Sequence, residues 1–306
     1  MSSSYYYDVL EPSVQQHGSH MVMKGVSKTL REKIVNIDTK YRTDYDYSAY
    51  ASVTQTFGER INEVRSVEVV SVDIPMTFYN VHSNNDCVVD GNNYLRIKNG
   101  GTTKVLTLTP NYYSSPSALA TEINARIATL GSPFTDISYN IVANKSRFTS
   151  ASGTFVVNTN VDACGNIYEL NNQNNLGWLL GFRDTSYNLT SSASLVSESI
   201  VNLKTPRHFF LALNEFSHGN SNSFVSPQEK TNASKNIIAK ISIPAGVAFG
   251  DTLCANVKNG LLVSEVRKYL EKVNIQRVKL ELLDDAGRPV YLNGADISVC
   301  LRIVHE

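Results

Sequence analysis

From Lys33 onward the chain alternates apolar and polar positions in short runs punctuated by Gly, Asn, Asp and Pro, the period-two signature of half-buried β-strands. KIVNID, NYLRIK, TKVLTLT, DISYNIVA, SRFTSAS, TFVVNTN, SIVNL, HFFLALNEF, KNIIAKISIPA, VNIQRVKLELLD and ADISVCLRIV each fit one strand. The longest run, NEVRSVEVVSVDIPMTFYNV, sets Val67, Val69 and Ser71 against Glu68, Val70 and Val72 until Pro75 removes a ladder donor. NGGT predicts a hairpin turn, and Asp285, Gly287 and Pro289 give the last connection its turn chemistry.

One segment carries a helical period instead. In SPSALATEINARIATLG, Ser115 is placed to cap, Pro116 opens the first turn, and Leu119, Ile123, Ile127 and Leu130 form one apolar stripe before Gly131. About twelve strands and one helix, without βαβα alternation, predict an all-β antiparallel sandwich with a helix-bearing insert at about residues 109–187. Residues 1–31 lack either period and are read as an extended N-terminal arm, leaving residues 32–306 as the sandwich domain. Tyr5, Tyr6 and Tyr7 suit an arm ordered on a neighbour, because aromatic rings bring large contact area at low entropic cost.

Charge changes the picture little. Twenty-eight basic residues balance twenty-eight acidic ones, which argues against nucleic-acid binding as the main activity. Cys87, Cys164, Cys254 and Cys300 are widely spaced, with no CxxC and no histidine at ligand spacing, so reduced thiols are expected, with Cys300 packed as a small hydrophobe. Neither an export signal nor a membrane-length apolar run is expected from the pattern. HExxH, GxSxG and GxxxxGK with Ser or Thr are absent. His17 and His20 fall in the arm, His208 enters a strand, and the pairs Asp44/Asp46 and Asp284/Asp285 fall in loops, where carboxylates bond turn backbone. No catalytic residue, cofactor or metal ligand is assigned.

Sixteen tyrosines are the compositional excess, and Tyr45, Tyr47 and Tyr50, between strands, fit a protein interface or a sugar-binding face. The only tryptophan lies in NNLGWLLGFRD. Leu176, Leu179, Leu180 and Phe182 stand near Trp178 at spacings that a short helical turn gathers onto one side, Gly177 and Gly181 permit close approach to a sheet, and Trp178, Leu180 and Phe182 are expected in the core. Arg183 and Asp184 should pair with each other or with backbone at the exit.

The succession KIVNIDTKYR, VRSVEVVSVDIPMTFYNV, NYLRI with LTLTPNYYSSPSALATEINARI, ISYN, RFTS, LGWLLGFR, PRHFFLALNEF, IIAKISIP and NIQRVKLELLDDAGRPVYLNGADISVCLRI covers Lys33 to Ile303. In that order it resembles the minor capsid or penton-type structural proteins of large icosahedral DNA viruses of the nucleocytoplasmic, phycodnavirus-like kind. The resemblance implies a jelly-roll-type sandwich and a non-enzymatic virion structural protein that packs with or beneath major capsid protein capsomers. It also implies other minor capsid proteins as partners, assembly in the host cytoplasm, and self-association and proximity to an internal viral membrane as open alternatives. Lattice position stays open, and a lectin-like carbohydrate-binding module or a vertex attachment protein remains the competing reading.

Overall fold

A computed structural model describes residues 9–17, 20–42, 52–83, 91–168, 173, 175–216 and 236–306. Seventeen strands and two α-helices lie among them, more strands than the alternation counts, because short two-sided polar strands such as Ser194–Val196 carry no clear period. The chain forms two compact units, residues 1–77 with 208–306 and residues 78–207.

The first unit is built on β4 (Ser52–Pro75), a strand of 24 residues. Its first half pairs with β16 (Arg267–Leu283), and its second half pairs with β17 (Ser298–His305) and β14 (Thr252–Asn256). β17 pairs in turn with β3 (Arg31–Asp38), giving one sheet in the order β3, β17, second half of β4, β14. The other reads first half of β4, β16, β12 (His208–Asn214), β13 (Ile237–Ser242), with β15 (Leu262–Ser264) at its edge. Leaving β15 aside and counting the two halves of β4 separately, the strands run one to eight along the chain and the sheets read 1-8-3-6 and 2-7-4-5. That order, antiparallel throughout, is the double Greek key of a jelly roll.

β4 keeps its apolar positions inward by a bulge. Cys300 pairs with Ser71 and Leu301 with Val69, so Val70 is an extra residue and the phase shifts by one. Val67, Val69, Val72 and Ile74 are therefore the buried set, and Ser71 does not share the face of Val69 as strict alternation has it.

Residues 1–31 are not uniformly an extended arm. β1 (Val9–His17) and β2 (His20–Lys28) form an antiparallel hairpin over nine residue pairs. Backbone pairing supplies order that side-chain periodicity does not announce.

Where β12 ends, a buried ion pair is fully bonded. Glu215 accepts from the Arg267 guanidinium and from the Tyr269 hydroxyl, each at 2.8 Å, and Arg267 also donates to the carbonyls of Leu213 and Asn236. Burial first, then the negative charge of Glu215, pushes the Tyr269 phenol far up, so it stays a donor.

The second unit joins the jelly roll between the third and fourth of those strands. Its wider span than 109–187 follows from pairing: β5 (Tyr94–Asn99) and β6 (Thr102–Thr107) precede residue 109, yet β5 pairs with β9 (Phe155–Asn158), which pairs with β10 (Ser186–Leu189). A second sheet holds β7 (Ile137–Val142), β8 (Lys145–Ser150) and β11 (Ser194–Val196). Helix α1 (Pro116–Leu130) has the Ser115 hydroxyl accepting from Ala118 N–H and packs Leu119, Ile123 and Ile127 into a core with Leu95, Phe148 and Phe155. Cys164 is disulfide-bonded, contrary to the reduced thiol expected, since spacing along the chain does not report distance in space; Cys254 and the half-buried Cys300 are free.

Removing one partner of the buried pair strands the other. Glu215→Ala should lower stability by about 3–5 kcal/mol in urea denaturation, and Glu215→Gln by less, because its amide oxygen still accepts from Arg267.

Candidate functional site

NNLGWLLGFRD, the one stretch that the sequence marks as a site or a plug, packs within the second unit. Helix α2 (Leu176–Leu179) is a single turn whose Leu176 and Leu179 are buried, as are Leu180 and Phe182 just beyond it. Two glycines let it approach. A Cβ on Gly177 would stand 2.3 Å from the Thr159 Cβ, and one on Gly181 would stand 2.2 Å from the Ser199 carbonyl oxygen. Gly181 also holds φ +95°, a conformation other residues rarely adopt. Phe182 stacks on Phe148 at 5.9 Å and meets Tyr187 at 5.1 Å.

Trp178 departs from the expected core placement and is only half-buried. Helical geometry explains it: Leu176, Leu179 and Leu180, at relative positions 0, 3 and 4, share one face, while position 2 stands about 100–160° from each of them. The Arg183 guanidinium covers the exposed ring at 3.9 Å and donates to the carbonyls of Trp178 and Phe182. Arg183 thus bonds backbone, and Asp184 Oδ1 accepts from Thr185 N–H.

The exit is closed by Tyr187. Its hydroxyl donates to Glu198 at 2.8 Å and accepts from the N–H groups of Arg183 and Asp184. Burial, with Glu198 beside it, outweighs the Asp184 amide and pushes this phenol up to about 12. Beneath it, Ser146 Oγ donates to the Leu180 carbonyl at 2.6 Å and lies 2.7 Å from the Tyr139 hydroxyl, whose ionisation burial pushes up. Ser146 thus gives its proton to a carbonyl and meets one phenol that stays protonated, contacts that fasten the plug.

Tyr5, Tyr6, Tyr7, Tyr45, Tyr47 and Tyr50, with Asp44 and Asp46, lie outside the described residues. Asp284 accepts from the N–H groups of Ala286 and Arg288 and pairs with the Arg288 guanidinium, the turn role its position implies. Among the described residues no group of three or more His, Cys, Asp and Glu could hold a metal ion, and no helix is long and apolar enough to cross a membrane.

No protein-family model matches the chain, and no curated protein matches it. Among solved structures it is similar to the crystal structure of the selenomethionine-labelled mavirus penton protein, at 11% identity and a TM-score of 0.45, over 89% of this chain and 99% of that one. The jelly-roll assignment rests on strand pairing alone.

A surface feature escapes sequence reading. Lys268 pairs with Ser66 and Val273 with Val64, so Tyr269–Lys272 on β16 face the single residue Arg65 and arch outward, leaving Leu270 97% exposed. The run SEVRKYLEK gives no warning, because the arch depends on the register of a strand two hundred residues away.

The plug makes an ordered set of expectations for urea denaturation. Phe182→Ala should cost about 3–5 kcal/mol, whereas Trp178→Ala should cost only about 1–2 kcal/mol for a half-buried ring and its cation–π contact. Gly181→Ala should exceed Trp178→Ala, and acrylamide should quench Trp178 fluorescence in the native protein.

Proposed function

We propose that this protein is a structural component of an icosahedral viral shell, a minor capsid or penton-type protein packing with or beneath major capsid capsomers in the virion. The observation that carries it is the strand order 1-8-3-6 and 2-7-4-5, the double-sheet jelly roll found in viral capsid and lectin domains. Fold alone does not assign function. Two features favour the shell among jelly-roll uses: the most site-like stretch of the chain is spent largely on packing, and the buried Glu215–Arg267–Tyr269 cluster is bonded internally.

A shell component needs many shape-fitting contacts with neighbours and no reacting group. Major capsid protein and other minor capsid proteins are the partners this role calls for, met in the host cytoplasm during assembly. A lectin-like role would call for aromatic and carboxylate side chains grouped on one face, and the residues named for it, Tyr45, Tyr47, Asp44 and Asp46, lie outside the described residues.

Quantitative mass spectrometry of purified particles should find the protein at a fixed ratio to a major shell protein. Recovery only in the soluble fraction, together with binding on a glycan array, would overturn the shell reading in favour of the lectin one. Among the described residues, β1 and β2 pair with no strand of the jelly roll, so deletion of residues 2–28 should leave the melting curve nearly unchanged and reduce incorporation into particles.

A further inference from the structure

We infer that copies of this chain associate head to tail, the arch of one copy docking on the outer face of the β7–β8–β11 sheet of the next, with Glu271 set against Arg147 and Leu270 against Val196. Register and burial sort the two faces of that sheet. Tyr139, Phe148 and Leu195 stand opposite one another and turn inward, whereas Asn140, Arg147 and Val196, with Val142 opposite Lys145, turn outward. Val142 is 41% exposed and Val196 42%, so the outward face offers apolar contact beside its two cations.

Those cations have no answering acid. Lys145 Nζ donates to the carbonyl of Glu198, whose carboxylate is occupied by the Tyr187 hydroxyl and the Arg183 N–H. The Arg147 guanidinium bonds to no protein group, and its Nε is closed off from water as well. A guanidinium in that state, next to an exposed valine, has most to gain from a carboxylate brought by a partner. The aromatic rings of this sheet, Tyr139 and Phe148, lie on its buried side, so the outer face has nothing to stack a base and suits a protein carboxylate rather than single-stranded nucleic acid.

The same chain supplies that carboxylate. Among the described side chains, Glu265 and Glu271 have the two carboxylates that carry no hydrogen bond or ion pair, and both residues are exposed. Glu271 adjoins Leu270, which is 97% exposed. Neighbours on a regular strand point to opposite faces, but the arch turns this pair outward together. Its shape is held from both ends, by the Tyr269 hydroxyl on Glu215 and by Lys272 on Glu306, and Lys268 is itself engaged. Spacing agrees with the match: Val196 and Arg147 are directly opposite across one strand pair, about 5 Å apart, and consecutive Cα atoms such as those of Leu270 and Glu271 are about 3.8 Å apart. An acidic, apolar knob and a basic, apolar face are different surfaces of one chain, which makes the contact heterologous. The inference stands apart from the shell reading, since it is read in purified full-length protein and the shell reading is read in particles.

Sedimentation velocity with exchanged charges tests it. The unaltered protein should self-associate with rising concentration, less so in high salt. Glu271→Arg and Arg147→Glu, each alone, should weaken association by about tenfold or more, with unchanged melting curves. A mixture of the two variants should associate again, because each retains the surface that the other has lost. Docking within one chain, or through one surface shared by both copies, gives no such recovery. Leu270→Asp, at a side chain with almost no contact to lose within the chain, should weaken association without altering the melting curve. A protein that does not self-associate, a variant that associates undiminished, or a mixture that stays monomeric would each overturn the proposal.

Discussion

Ser52–Pro75 bonds its backbone to three other strands, β16, β17 and β14, and is the segment through which both sheets of the jelly roll are joined. A strand in that position must satisfy two constraints at once. Its hydrogen-bonding edges change partner along its length, and its apolar face must stay inward as the sheet curls. The extra residue at Val70 meets the second constraint, because a bulge bends a strand and rotates the following residues by one position. Register shifts between β4 and β16, from Lys268 to Arg277, meet the first.

The charges buried nearby follow from the same curl. Where β16 leaves β4 to arch over Arg65, backbone groups lose ladder partners, and side chains take their place as anchors. Glu215, Arg267 and Tyr269 bind one foot; Arg65, Lys272 and Glu306 bind the other. A buried ion pair is weak evidence for net stability, but Glu215 here ties Arg267 and Tyr269 to one carboxylate while Arg267 also holds two carbonyls. The arch is therefore a fixed shape, the property a contact surface requires.

The second unit solves a different problem with different means. It has two small sheets and one long helix, and its core is closed by a glycine-bracketed turn and by hydroxyl-to-carbonyl bonds from Thr159, Ser146 and Ser197. Small residues permit backbones to meet at distances that a methyl group would forbid. Polar side chains then bond the carbonyls that irregular turns leave over. Its Asn and Ser content is thus internal wiring as much as surface.

Sequence alone determined the all-β class, most long strands, the helix with its Ser115 cap and Leu119–Ile123–Ile127 stripe, and the burial of Leu180 and Phe182. Each of these depends on periodicity or on contacts a few residues apart, and local steric rules write them directly into the order of side chains. Only the tertiary structure decided the phase shift at Val70, the outward Trp178, the reach of the second unit back to Phe78, the hairpin in residues 9–28, the disulfide at Cys164 and the arch carrying Leu270. Those features arise from which distant strand lies alongside and in what register, and such pairing leaves no local period to read.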